Sequence, residues 1–199
     1  PDRRRQQHHP GLRHSLAGPL AGAWFSSRQG PESERPDPLT RLPNRQAYNE
    51  RLEAAFTKFK KNGDLLAVAV VDIDHFKSIN DRFGHAAGDK TLQVVSKFLK
   101  QSLSDNDFIA RWGGEEFVML LPQAQMADID KKLNEVRTKL AAMPFKFKQE
   151  KVKITASFGA TCFNDNDTTE TVFERADEYL YKAKRNGRNL VVTDLSTDL

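Results

Sequence analysis

One cysteine, Cys162, in 199 residues leaves no partner inside the chain, which excludes an internal disulfide framework and fits a reducing compartment. Its neighbours Ala160 and Phe163 are apolar, so the thiol reads as a small core filler. Long apolar runs are missing as well. The longest, Leu65 to Val71, falls far short of the roughly 18 to 20 residues a membrane-spanning helix needs, and suits a buried strand instead. No internal repeat is visible. A strong excess of one charge is absent from most of the chain, although the whole carries +4. Residues 1–36 hold six Arg against one Asp and two Glu, while the remainder balances 25 Lys or Arg with 24 Asp or Glu. Bulk charge therefore gives the body no reason to bind nucleic acid, and nothing in this segment predicts membrane contact.

Residues 1–36 are rich in Pro, Gly, Arg, Gln, Ser and His and show no sustained period. Their one apolar patch, Leu16 to Phe25, is interrupted by Gly18, Pro19 and Gly22, too broken for a signal-peptide core behind Arg3, Arg4 and Arg5. The segment reads as a flexible linker or an expression-derived tail, or else as the stub of a connection to an upstream domain. Residues 37–195 read as one domain.

In that domain Asn44 can cap a helix whose apolar face is Tyr48, Leu52, Ala55, Phe56 and Phe59, ending at Asn62-Gly63. Leu65 to Asp72 is apolar without alternation, as in a strand buried on both faces. A short helix over Phe76 to Phe83 and a longer one with Leu92, Val95 and Leu99 follow. Phe108 to Trp112 and Phe117 to Leu121 read as strands joined across Gly113-Gly114, with Pro122 closing the second. A helix from Met126 to Ala142 carries Ile129, Leu133, Val136 and Leu140. One or two strands are expected in Lys146 to Phe163, the clearest over Ile154 to Phe163. A last helix over Thr169 to Arg185 shows Phe173, Ala176, Leu180 and Ala183, and Leu190 to Thr193 closes as a strand. The order after the first helix is β-α-α-β-β-α-β-α-β. That is α+β: a ferredoxin-like palm with a central, mostly antiparallel sheet flanked by helices, plus one extra helix and strand.

Acids stand where the core pattern wants apolar residues. Asp72 and Asp74 follow the buried strand, and Glu115 and Glu116 lie at the glycine hairpin. Taken singly, Asp72 reads as a helix cap and the glutamates as decoration of a turn. Together, at neighbouring strand ends, they repel one another and lose hydration, which is costly without a cation. Hard divalent ions take such oxygen ligands, using one or two carboxylates plus substrate phosphates.

The same residues carry a resemblance. Gly113-Gly114-Glu115-Glu116-Phe117 is similar to the signature loop of GGDEF-domain diguanylate cyclases in its Glu-containing form. Asp37-Pro38-Leu39-Thr40 and Leu42-Pro43-Asn44-Arg45 resemble that family's entry motif, with Arg41 where Gly is usual. Asp72-Ile73-Asp74-His75-Phe76-Lys77, Asn80-Asp81, Gly84-His85 and Gly88-Asp89 resemble its metal and guanine stretch. Tyr181-Lys182-Ala183-Lys184 and Gly187-Arg188-Asn189 resemble its closing motif.

The resemblance implies a nucleotidyl-cyclase-like palm that condenses two GTP into cyclic di-GMP, a bacterial second messenger, with release of two pyrophosphates. It implies that Asp72, the Ile73 carbonyl, Glu115 and Glu116 hold Mg²⁺ or Mn²⁺, two ions per site, with Glu115 and Glu116 catalytic. Asn80 and Asp89 would read guanine, an amide and a carboxylate together matching its N1–H and amine edge. Phe76 (through its amide), Lys77, His85, Gly113, Gly114, Lys184 and Arg188 would line the rest of the nucleotide site. Each domain would hold one GTP, so catalysis would need a homodimer. The resemblance further implies a cytoplasmic catalytic domain governed by an upstream sensor or receiver, which in a full-length protein can be membrane-bound.

The alternative on the same fold is a catalytically silent sensor of GTP or cyclic di-GMP. Asp72, Glu115 and Glu116 are all present, which disfavours it. A single-nucleotide cyclase or polymerase-like palm leaves Asn80 and Asp89 without a purpose. One departure concerns regulation. The family's inhibitory product site begins with an Arg nine residues before the first signature glycine, where this chain has Ser104; its Asp is retained as Asp107. Without the bidentate contacts of that Arg, little or no product inhibition through these positions is expected. Tight product binding that disappears on mutating Asp107 would contradict this.

Overall fold

The computed structural model describes residues 31–196. Most of the irregular 1–36 segment thus lies outside the described residues. Residues 32–34 form a short 3₁₀ turn, tied down by the Asn44 amide, which donates to the carbonyls of Glu32 and Arg35 at 2.8 Å each.

The oxygen of the same Asn44 side chain accepts the Ala47 amide at 2.8 Å and starts α1 (Arg45–Asn62), which Gly63 ends in a left-handed conformation. The chain continues through β1 (Leu66–Ile73), α2 (Phe76–Phe83), α3 (His85–Gln101), β2 (Phe108–Arg111) and β3 (Glu116–Pro122). Then come α4 (Met126–Ala142), β4 (Phe145–Phe147), β5 (Glu150–Val152), β6 (Ala156–Cys162), α5 (Thr169–Arg185) and β7 (Val191–Thr193). No helix among the described residues is long and apolar enough to cross a membrane.

The main sheet has the order β2-β3-β1-β6-β7, antiparallel except for the parallel pair β6 and β7. Without β7 this is the order of a ferredoxin-like palm, so the expected α+β architecture is present. β1 lies at the centre and is buried on both faces, which explains its unbroken apolar run. Its odd-numbered residues Ala67, Ala69, Val71 and Ile73 face one core with Leu92, Val95, Leu99, Ile129 and Leu133. Leu66, Val68 and Val70 face the other, with Tyr48, Leu52, Phe59, Val172, Ala176 and Leu180. Helices α3 and α4 therefore cover one face, and α1 and α5 the other.

Two glycines are dictated by close approach. A Cβ on Gly159 of β6 would stand 2.2 Å from the Ala176 carbonyl oxygen and 2.3 Å from the Leu180 nitrogen, backbone atoms that have no room to yield. A Cβ on Gly88 would meet the Asn80 oxygen at 1.8 Å, so this glycine lets α3 lie against α2.

The segment from Lys146 onward differs from expectation. It holds a separate hairpin, β4 and β5, before β6 begins. The two-residue turn puts both Lys148 (φ 47°) and Gln149 (φ 69°) in the left-handed region. That turn type favours Asn-Gly, so its sequence signal is missing here. The hairpin docks on α2 through Phe147 against Phe83, ring centres 5.4 Å apart, and through the Arg82–Glu150 ion pair. Cys162 is half-buried beside Met126, and burial raises its thiol pKa, with the nearby Asp194 charge adding to the effect. It behaves as the core filler the sequence suggested.

At the start of α5, Asp167 accepts both terminal nitrogens of Arg175, at 2.7 and 2.9 Å, together with the Asn164 amide and the Thr171 hydroxyl. The Arg175 hydrogen bonds are the main reason its carboxyl is held down to about 2. A carboxyl lowered on folding stabilises the protein above its unfolded pKa and loses that contribution as pH falls through the folded value. Asp167→Asn should therefore cost about 2 kcal/mol near pH 7, several degrees in Tm. In thermal unfolding series the gap from wild type should narrow steadily below pH 4; a gap that stays constant down to pH 3 would contradict the assignment.

Candidate active site

The C-terminal end of β1 gathers the predicted acids. Asp72 is 4% exposed and registers with Glu116 on β3, and the Ile73 amide donates to the Glu115 carbonyl at 3.2 Å. The three carboxylate-bearing residues therefore share the end of two adjacent central strands. Burial pushes the Asp72 carboxyl up to about 6; Lys184 opposes the rise, and the charges of Glu115 and Glu116 add to it. The Lys184 ammonium reaches over from α5 to Asp72 Oδ2 at 2.8 Å. The family resemblance implies that Lys184 lines the nucleotide site. Its partner in this structure is the acid itself, because a buried carboxylate needs a counter-charge nearby. Among the described residues no three Asp, Glu, His or Cys side chains converge into a group that could hold a metal ion.

Asp74, two residues on, has a different position. Its oxygens accept the Thr155 and Ser157 hydroxyls at 2.7 Å each and the Asn189 amide at 2.9 Å. With its capacity used this way it serves as a clamp, joining β1 to β6 and to the closing Gly187-Arg188-Asn189 segment. Arg137 of α4 holds that segment from the other side, through the Asn189 carbonyl at 3.2 Å. All three closing residues are left-handed, with φ of 112°, 62° and 47°. This clamp fixes where α5 ends and hence where Lys184 stands.

Between β1 and α2 the chain turns through His75 at φ 54°. Phe76 and Lys77 open α2, where helix amides have no intrahelical partner and favour anions. Asn80 lies one turn further. Its side-chain oxygen is buried without a hydrogen-bond partner among the described residues, beside Gly88, which exposed Asp89 follows in the chain. A buried amide oxygen in that state is costly unless something satisfies it. His85 is exposed at the first position of α3, and Arg188 is exposed beyond α5.

Two residues that sequence reading passed over hold the signature hairpin. Arg111 donates to the carbonyls of Gly113 and Gly114, the latter at 2.9 Å, and forks onto both oxygens of Asp37 at 3.1 Å. Asp37 in turn accepts the Thr40 amide and hydroxyl at 2.8 Å each, closing the entry turn. Burial alone would raise the Asp37 pKa, but the Thr40 and Arg111 hydrogen bonds outweigh it and hold the carboxyl below its usual range. Trp112 is enclosed by the Arg45 guanidinium at 4.0 Å and the Phe173 ring at 4.7 Å, with Tyr48 edge-on at 5.7 Å. Arg41 sits in the entry turn at φ 62°, a conformation that glycine adopts without strain. The glycine usual there thus has a backbone reason.

Asp107 is already engaged. It accepts the Lys132 ammonium at 2.7 Å and the Ser104 amide at 2.9 Å, and Lys132 also reaches the Ser104 hydroxyl at 3.1 Å.

A family model described as "Diguanylate cyclase, GGDEF domain" matches residues 35–190. Diguanylate cyclase DgcP of Pseudomonas aeruginosa is 52% identical over 153 residues, 77% of this chain and 23% of that protein. Response regulator PleD of Caulobacter vibrioides is 36% identical over 159 residues, 78% of this chain and 35% of that one. The chain thus spans about a quarter to a third of the length of these relatives. Among solved structures, the GGDEF domain of DgcB from Caulobacter crescentus in complex with c-di-GMP is 34% identical with a TM-score of 0.78. That match covers 83% of this chain and 98% of the other. The active GGEEF domain of a diguanylate cyclase from Vibrio cholerae, also 34% identical, gives a TM-score of 0.73 over 78% of this chain and 99% of the other.

The hairpin geometry makes a direct prediction. Arg111→Ala leaves the glycine carbonyls and Asp37 without their shared partner, a loss of about 1 to 3 kcal/mol. Amide exchange should accelerate from residue 111 to 117 and around the entry turn, with a Tm lower by several degrees. Exchange at wild-type rates in both segments would show that Arg111 does not hold them.

Proposed function

This chain belongs to the GGDEF domain family of diguanylate cyclases, and we propose that it condenses two GTP molecules into cyclic di-GMP, releasing two pyrophosphates. The observation that carries the reading is buried Asp72 near the end of the central strand, with Glu116 opposite it in the sheet register and Glu115 in the adjoining hairpin. The reading includes a 3′-oxygen of one GTP attacking the α-phosphate of another, carried out twice.

The donor set fits a hard divalent ion, since it is all oxygen and its most buried member pays for ionisation. Asp72, the Ile73 carbonyl, Glu115 and Glu116 would hold Mg²⁺ or Mn²⁺, two per site. Bound there, such ions would neutralise phosphate charge and lower the pKa of the attacking hydroxyl. The remaining work falls to this chain's own side chains, mostly as positioning and electrostatics. Glu116, opposite Asp72 in the sheet register, would complete the ligand set or take the 3′-hydroxyl proton. The opening amides and Lys77 of α2 favour the triphosphate. The unsatisfied Asn80 oxygen and exposed Asp89 suit the donors of a guanine edge, N1–H and the exocyclic amine, whereas adenine offers an acceptor at N1. Gly113 and Gly114 let substrate pass close to the hairpin, and His85 and Arg188 border the site.

Each domain offers one such half-site, so the reading requires two domains facing each other in a homodimer with the product forming between them. Specific activity should then rise with enzyme concentration. The engaged Ser104–Asp107–Lys132 group supports a weak or absent product brake at those positions. Regulation would come from an upstream sensor or receiver, as the name of the response regulator PleD suggests.

Glu115→Ala and Glu116→Ala should each abolish product formation from GTP and Mg²⁺ while leaving the far-UV circular dichroism of the fold unchanged. Near wild-type turnover in either variant would overturn the assignment. Retained GTP binding without turnover in the wild-type chain would favour the silent-sensor alternative.

A further inference from the structure

We propose that Lys184 is a tethered stand-in cation: it holds the Asp72 carboxylate in the free protein and must release it before a divalent ion binds, so that metal and nucleotide load together rather than metal first. The inference rests on the metal assignment above, and its test reads binding of the metal alone.

The argument starts from how the buried carboxylates of this chain are satisfied. Asp74 accepts two hydroxyls and one amide, and Asp167 accepts an arginine fork, an amide and a hydroxyl. Both are held by several partners at once. Asp72 is as deeply buried, at 4% exposure, yet its one side-chain partner among the described residues is the Lys184 ammonium. An ammonium on a four-carbon stem is a point charge that moves more freely than the planar fork of arginine, and here no second partner of the acid holds the pair in place. The Lys184 side chain is 31% exposed against 6% for Asp72, so the acid is enclosed while the cation has a path outward.

The rest of α5 does not share this freedom. Leu180 and Ala183 are buried against the sheet, and the Asp74 and Arg137 bonds to Asn189 fix the segment just beyond. Only the side chain has to swing. While the ammonium stays on Asp72, an arriving divalent ion meets a like charge at its ligand. When a triphosphate arrives with the metal, the ammonium gains an anion to pair with, and the carboxylate passes to the metal without either charge being left alone. Lys184 is thus a positioning residue with two partners, used in turn.

The measurement is titration of the nucleotide-free protein with Mn²⁺ alone, followed by the electron paramagnetic resonance signal of the free ion. Lys184→Met, folded by circular dichroism, should bind Mn²⁺ about tenfold tighter than wild type, the scale of one charge-assisted hydrogen bond. Lys184→Gln serves the same purpose if the methionine variant does not fold. Lys184→Arg keeps the charge and should bind Mn²⁺ as weakly as wild type. Mn²⁺ binding by Lys184→Met or Lys184→Gln no tighter than wild type would overturn the proposal. So would Lys184→Arg binding as tightly as the neutral variants, since the charge would then not be the cause. Failure of the wild-type chain to make cyclic di-GMP would remove the proposed activity but leave this exchange measurable by itself.

Discussion

Everything about this site follows from one uncomfortable carboxylate. Asp72 stands one residue before the end of the central strand, buried, with Glu116 opposite it in the sheet, Glu115 in the adjoining hairpin, and an ionisation that burial resists. A group in that state is a poor choice for stability alone, because an apolar residue there would continue the strand at no electrostatic cost. The surrounding structure is arranged to tolerate it. Lys184 supplies a counter-charge, α5 supplies the platform for Lys184, and the Gly159 contact lets α5 lie directly on β6.

The neighbouring acids show what a purely structural carboxylate looks like in the same protein. Asp74, Asp37 and Asp167 are each bonded from several directions and clamp strand to strand, entry turn to hairpin, and loop to helix. They divide the labour by how completely their oxygens are used. The fully bonded ones hold the frame, and the sparsely bonded one is left for chemistry. The signature hairpin obeys the same logic in reverse. Two glycines would make it loose, so Arg111 binds their carbonyls and Trp112 is packed between Arg45 and Phe173.

Much of this was legible in the sequence, for identifiable reasons. Asn44 and Asn62-Gly63 marked both ends of α1, and the unbroken run of β1 announced burial on two faces, as the alternating cores bear out. The displaced acids Asp72, Glu115 and Glu116 were visible because they break an apolar pattern. Pairings across long sequence separations were not. Nothing local marks Arg111 as the partner of Asp37, since an arginine in a short edge strand reads as a solvated charge. Lys184 was expected to line the nucleotide site, and its reach to Asp72 depends on how α5 crosses the sheet. The β4–β5 hairpin was missed because Lys148 and Gln149 adopt left-handed conformations without the glycine or asparagine that announces them. Arg41 hides the same feature behind the same kind of residue.

The central claim is that buried Asp72 and the hairpin glutamates, with Asn80 and Asp89 reading the base, join two guanine nucleotides. Incubation of the whole chain with GTP and Mg²⁺, with chromatographic separation and mass determination of the products, tests it most directly. The account predicts cyclic di-GMP with two pyrophosphates for each molecule formed, and no corresponding dinucleotide from ATP. A cyclic mononucleotide, a linear polymer, or equal conversion of ATP would contradict it.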